Sequence, residues 1–268
     1  MKPHRQQYQQ QLRPKKNTLV INYPNVLQAL QTGIALDKIM IDQTLSEKNY
    51  AQLFAQAEKQ NVPIQKVPQA KLNNLNIGEH DGCIATLSKI TYYNLQDVID
   101  QTVTAGHTPL FVILDGITDI RNIGGIARSA FALGVHALII PSKGVGALNE
   151  DAILTSAGAL EKLAVCRVPS LMKAVDTLHL NGITVFASEM TATTTLQQLN
   201  LTQPSAIIMG SEENGVYPAL LKICDAQFNI PMHNQFESLN VSVATGIILY
   251  EAQQQLSKLK MEHSKPKN

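Results

Sequence analysis

Three short stretches of this 268-residue chain carry side chains able to do chemistry. The first, NIGGIARSAFALG at residues 122–134, combines the carboxamide of Asn122, the glycines Gly124 and Gly125 and the guanidinium of Arg128. Glycines lack a Cβ, so amides at a helix start can approach an anion, and the planar fork of an arginine suits a phosphate. Arg128 can equally be a surface group whose stem lies along an apolar helix. The second stretch, IIMGSEENGVYPALL at 207–221, ends an apolar run at Gly210 and continues into Ser211, Glu212 and Gly215. Gly210 would let a flat ligand lie on the backbone, and Glu212 would fix the loop by accepting main-chain hydrogen bonds; a plain strand-to-helix turn has the same pattern. The third stretch, FNIPMHNQFESLNVSVATGIILYE at 228–251, breaks at Pro231 and runs through a polar loop, 235–240, with Glu237, Ser238 and Asn240. It is either a turn with Ser238 as helix N-cap or a functional loop held between two buried segments.

Other chemistries are disfavoured. No histidine is spaced to serve a serine nucleophile, and the G-x-S-x-G elbow is absent. The G-x-G-x-x-G dinucleotide fingerprint is absent too, which counts against a nicotinamide-dependent oxidoreductase. The seven histidines do not cluster as ligands, and the three cysteines (Cys83, Cys166 and Cys224) show no C-x-x-C spacing, so neither a metal site nor a disulfide framework is expected. Three unpaired cysteines fit a reducing cytoplasm. Apolar residues make up 44% and charged residues 16%, as in a globular protein, and no apolar run approaches the roughly 18 residues of a membrane span. The first sixteen residues lack the apolar core of a secretory signal. Net charge is only +1, but basic residues gather at both ends, where they can touch phosphates or simply keep the ends soluble.

These motifs must be positioned by the elements around them. Residues 1–17 read as a flexible basic tail. Residues 18–88 read as a small three-layer α/β domain: strands at Leu19–Ile21, Lys38–Ile41, Val62–Val67 and Gly82–Leu87 alternate with helices at Tyr23–Gln31, Ser46–Gln60 (capped by Ser46) and Gln69–Leu75. Residues 89–108 read as a linker. In residues 109–268, near-continuous apolar strands (LFVIL, ALII, LAVCRV, ITVFAS, AIIM, QFNIPM) alternate with helices, the pattern of a parallel sheet covered on both faces. One of those helices is expected over Ile123–Leu133. Ligands of such sheets bind at the carboxyl ends of strands, and all three motifs follow strands.

In this order and spacing the motifs resemble those of the SpoU, or TrmH-like, family of RNA ribose 2′-O-methyltransferases in the SPOUT superfamily. Asn122, Gly124 and Arg128-Ser129-Ala130 match its first motif. Gly210-Ser211-Glu212 with Gly215 match the second, and Ile230 to Met232 with Ser238 to Ala244 match the third. The likeness is close over residues 109–255 and looser over 18–88, which resemble the L30e-like RNA substrate-binding domain of the branch acting on 23S ribosomal RNA. Ile120 and Asn234 depart from the family's usual proline and glycine.

The resemblance implies an α/β architecture, an L30e-like N-terminal domain followed by a SPOUT α/β-knot (deep trefoil knot) catalytic domain with a parallel sheet. It implies a homodimer and S-adenosylmethionine as cofactor, with RNA as partner and no metal or membrane. Gly210, Ile230, Leu239, Met232 and Met209 would wall the cofactor. Arg128, Asn122, Glu212, Ser238 and Asn240 would serve catalysis, Arg128 as base or as phosphate anchor. A free guanidinium gives up its proton only above a pH of about 12, which favours the anchor. Transfer RNA as substrate and a non-catalytic ribosome-associated RNA-binding protein are the alternatives.

Overall fold

A computed structural model describes residues 18–75, 77–146, 148–233 and 238–263. The basic tails at 1–17 and 264–268, together with Asn234, Gln235 and Glu237 of the third motif, lie outside the described residues. The chain divides into two compact units, Met1–Lys89 and Ile90–Asn268.

In the first unit a four-stranded sheet has the order β1-β4-β2-β3, formed by β1 (Leu19–Ile21), β2 (Leu36–Asp42), β3 (Ile64–Val67) and β4 (Cys83–Leu87). Only β2 and β3 pair in parallel. Alternation along the strands sends Ile39, Ile41, Cys83 and Ala85 to one face, against Val26 and Leu30 of α1 (Tyr23–Gln31) and Leu53 and Ala57 of α2 (Ala51–Lys59). Met40 and Ile84 point the other way, towards Leu72 of α3 (Gln69–Asn73). The expected cap at Ser46 is not formed. A 3-10 turn over Glu47–Tyr50 precedes α2, and the Asn49 amide is taken by the Ser46 carbonyl, so the side chain caps nothing.

The second unit is a six-stranded, wholly parallel sheet of order β10-β8-β9-β5-β6-β7. The strands are β5 (Leu110–Leu114), β6 (Ala137–Pro141), β7 (Ala164–Val168), β8 (Thr184–Ser188), β9 (Ser205–Met209) and β10 (Ala226–Phe228). Helices cover both faces, as such apolar strands require. The stretch expected as a linker contains α4 (Leu95–Thr104), capped by Asn94, and its Leu95, Val98 and Ile99 belong to the core on one face with α7 (Leu171–Leu180) and α8 (Pro218–Ile223). On the other face lie α5 (Ile120–Ala132), α6 (Glu150–Thr155) and α9 (Val241–His263). Helix α5 starts a turn earlier than its apolar pattern suggests, because Asp119 caps it by accepting the Arg121 amide at 2.8 Å. Ile120 thereby occupies the first helical position, one that proline tolerates. Strand β10 is shorter than expected: the Asn229 amide and carbonyl bond Thr194 and Leu196, which draws the backbone away from β8.

The glycines of the first motif serve packing, not an anion. Gly124 is buried within α5, where a Cβ would lie 2.7 Å from Cβ of Thr155 on α6. A Cβ at Gly125 would lie 3.0 Å from Cβ of Ser242 on α9. Gly124→Ala should therefore destabilise by about 1–3 kcal/mol through overpacking. Gly246→Ala on α9, whose Cβ would meet only Ser129 Oγ at 3.7 Å, should be neutral or stabilising through helix propensity. Thermal unfolding of the two variants checks the opposite signs.

Candidate active site

The three motifs leave the sheet at the carboxyl ends of β5, β9 and β10 and meet in a ring of side chains. Oε1 of Glu212 accepts from Asn240 Nδ2 at 2.8 Å, from Asn122 Nδ2 at 3.2 Å and from the Val241 amide at 3.4 Å. Asn240 Nδ2 closes the ring by donating to Asn122 Oδ1 at 2.9 Å. Residues 118 positions apart in sequence are thus tied through one carboxylate. Asn240 also caps α9: its Oδ1 accepts from the Ser242 hydroxyl at 2.6 Å and from the Ser242 amide at 3.0 Å. The N-cap is therefore Asn240 and not Ser238, since α9 begins at Val241.

The loop after β9 is folded tightly on itself. Ser211 and Gly215 exchange backbone hydrogen bonds at 3.1 and 2.9 Å, and the Tyr217 amide donates to Asp115 Oδ2 at 2.6 Å, fastening the loop to the end of β5. Gly215 has φ of 64°, a left-handed conformation that glycine takes without strain. A Cβ at Gly210 would fall on the carbonyl of Gly215 and the amide of Val216. The room that Gly210 makes is filled by the chain's own backbone.

Beside the ring lies a cleft of about 700 Å³. Met209, Gly210, Ile230, Met232 and Leu239, the residues expected to wall a cofactor, all line it, as do Glu212 and Ser238. Arg128 is not brought there. It is exposed on α5, six residues beyond Asn122, or roughly 9 Å along the axis, and it pairs with none of the described residues. Sequence reasoning missed the segment after β8: Ser188, Glu189 and Thr191 form a further wall, and Glu189 Oε1 accepts from the Thr191 hydroxyl at 3.1 Å. A polar run at the carboxyl end of a parallel strand was the available signal. Asn229 also lines the cleft; its Nδ2 donates to the Ala192 carbonyl, while its buried Oδ1 has no partner among the described residues.

Among those residues no group of three or more His, Cys, Asp or Glu is placed to hold a metal, and no helix is long and apolar enough to cross a membrane. Cys83 and Cys166 are free and buried, and burial pushes both thiols up to about 12.

A parallel α/β sheet with a ligand cleft outside its carboxyl edge defines the class of domain. A model of the SpoU rRNA methylase family matches residues 109–250, and one for RNA 2′-O ribose methyltransferase substrate binding matches residues 25–93. The "Putative TrmH family tRNA/rRNA methyltransferase YacO" of Bacillus subtilis (strain 168) is 30% identical over 237 residues, covering 88% of this chain and 95% of the relative. Among solved structures, the SpoU methyltransferase AviRb from Streptomyces viridochromogenes, in complex with the cofactor AdoMet, shares the fold with a TM-score of 0.59 at 24% identity, covering 96% of this chain and all of that one (100%). An RNA 2′-O ribose methyltransferase structure aligns with a TM-score of 0.52 at 26% identity, over 88% of each chain. The chain belongs to the SpoU/TrmH family of RNA 2′-O-ribose methyltransferases.

If the ring acts as a unit, Glu212→Ala and Asn240→Ala should not add. A double-mutant cycle by chemical denaturation is expected to show a coupling of about 0.5–1.5 kcal/mol, and a value near zero would mean that the two side chains act independently.

Proposed function

We propose that this protein binds S-adenosylmethionine in the cleft beside Glu212 and methylates a ribose 2′-hydroxyl of 23S ribosomal RNA. The observation that carries this reading is the convergence of Asn122, Glu212 and Asn240 on a cleft walled by Met209, Gly210, Ile230, Met232 and Leu239. The residues present fit the cofactor. The cleft volume is in the range of small-molecule sites, and its apolar walls suit an adenosyl group. Asn229 Oδ1 offers a buried acceptor without a partner. Among the described residues Glu189, Glu212 and Glu213 line the cleft without any Lys or Arg, surroundings that favour a cation.

When bound, the cofactor supplies an electrophilic methyl on a sulfonium. The chain's task is to hold the ribose hydroxyl in line and to receive its hydrogen bond. Asn240 is saturated: both Nδ2 protons and its Oδ1 are engaged, so it positions Glu212 and α9 and does not touch the ribose. Asn122 keeps one amide proton to orient substrate. Glu212 Oε2 and Ser238 Oγ are acceptors left at the cleft. Arg128, exposed outside it, suits the anchoring of a phosphate on the incoming RNA.

Ribosomal RNA is favoured because a separate N-terminal unit precedes the catalytic one, and transfer RNA is the second reading because the name of the Bacillus relative covers both. The deep trefoil knot, a cytoplasmic location and a homodimer belong to the same proposal. Support for the dimer comes from α9, which exposes Val243, Ile247 and Tyr250 at helical spacing, and from α5, packed beside it, which exposes Phe131.

Mass-spectrometric mapping of 2′-O-methylation in ribosomal and transfer RNA, from cells with and without the protein, tests the substrate: one 23S nucleotide should lose its methyl group. Arg128→Ala should lower methyl transfer by about a hundredfold or more while leaving S-adenosylmethionine affinity within about twofold by calorimetry. Ile247→Asp should convert a dimer to monomers in light scattering coupled to gel filtration.

A further inference from the structure

The first unit contains a second cavity, of about 620 Å³, that the cofactor and the ring do not use. It opens where β2 and β3 end and β4 begins, between the 42–45 turn, helix α3 and the 78–82 loop. Strands β2 and β3, whose carboxyl ends border it, are the one parallel pair described in this sheet.

The walls are built and held. His80, only 8% exposed, accepts from the Gly82 amide through Nδ1 at 3.1 Å and bonds Asn73 Oδ1 through Nε2 at 2.8 Å. With Nδ1 accepting, the ring proton sits on Nε2, so the oxygen of Asn73 faces the histidine and its Nδ2 donors are left free. Gly82 has φ of 69° and a Cβ there would lie 3.1 Å from Cβ of Asp42; the preceding residue, Asp81, is also left-handed at 47°. Asp42 lines the cavity yet is only 4% exposed. Its Oδ1 accepts from the amide and hydroxyl of Thr44, both at 2.9 Å, and its Oδ2 has no partner among the described residues. The cavity is thus lined by one fixed carboxylate, with an oxygen that has no partner among the described residues, and by the side-chain amides of Asn73 and Gln69, whose nitrogens donate to none of them.

This set of groups limits the ligand. Among the described residues no Lys or Arg lines the cavity, while Glu79 and Asp81 add negative charge, which disfavours a phosphate or another anion. A neutral, planar group with a donor edge beside an acceptor fits. Resting on the reading of this chain as an RNA methyltransferase, and on the match of residues 25–93 to a substrate-binding model, we propose that the cavity receives an unpaired RNA base bearing an exocyclic amino group. Asp42 Oδ2 accepts from the amino group, and the Asn73 and Gln69 amides donate to the adjacent ring nitrogen or carbonyl. Uracil has no amino group, and its one imino donor, N3–H, lies between two carbonyl oxygens that would face the carboxylate, so it is disfavoured. The unit would then select where the substrate docks by reading a single-stranded base.

Fluorescence anisotropy with end-labelled RNA decamers of adenine, cytosine or uracil, titrated with the full-length protein, tests the proposal. The wild type should bind the adenine and cytosine decamers more tightly than the uracil decamer. Asp42→Asn and Gln69→Ala should each weaken the first two by about fivefold or more, change uracil binding little and leave S-adenosylmethionine affinity unaltered. Gln69 makes no side-chain hydrogen bond to a described residue, so its variant keeps the test open if Asp42→Asn fails to fold. Wild-type binding that ignores base identity, or folded variants that bind all three decamers as the wild type does, would overturn the cavity assignment alone. A wild type that binds no RNA would overturn the functional reading with it.

Discussion

The catalytic unit depends on one carboxylate. Glu212 Oε1, presented after β9, gathers two carboxamides and a helix-start amide that arrive from two other strand ends, those of β5 and β10. The two carboxamide bonds are exposed and the Val241 bond is half-buried, each worth little by itself, but a carboxylate accepting several N–H donors fixes all their carriers at once. The loop that presents Glu212 is fixed in turn by the Ser211–Gly215 backbone pair and by Asp115, which binds the Tyr217 amide. The ring therefore registers the loop after β9 against the starts of α5 and α9, and the cleft takes its shape from that registration.

The strands and most helices were legible because a parallel sheet buried on both faces writes itself as continuous apolar runs. Helix α1 spans the residues expected of it, Tyr23–Gln31. Less was legible where a residue's partner lies far along the chain. Ser46 and Ser238 look like caps by residue type, but a 3-10 turn replaces the first bond and Asn240 supplies the second. Residues 89–108 are polar enough to pass for a linker, although every fourth side chain or so of α4 is apolar and buried.

The glycines show most clearly why the site could be found but not explained from sequence. A glycine marks a place where a Cβ does not fit; it does not say what occupies the space. At Gly210 the occupant is the backbone of Gly215 and Val216, and at Gly124 and Gly125 it is Thr155 and Ser242. The same residues that suggested contact with a ligand permit contact of the protein with itself. The wall after β8 was overlooked for a related reason: Glu189 belongs to none of the three motifs and reaches the cleft only because β8 lies beside β9 in the sheet.

Packing and chemistry are therefore joined at α9. Its first turn is capped by Asn240, which belongs to the ring, and two residues further on Ser242 lies against Gly125 of α5. Helix α5 carries Asn122, the third member of the ring, one turn before that contact. The distance between two helix axes and the geometry of a hydrogen-bonded carboxylate are thus set by the same few residues. A side chain added at Gly125 would push α9 from α5 and pull Asn240 from Asn122, so close packing of these helices is a condition for the site and not merely a contribution to stability.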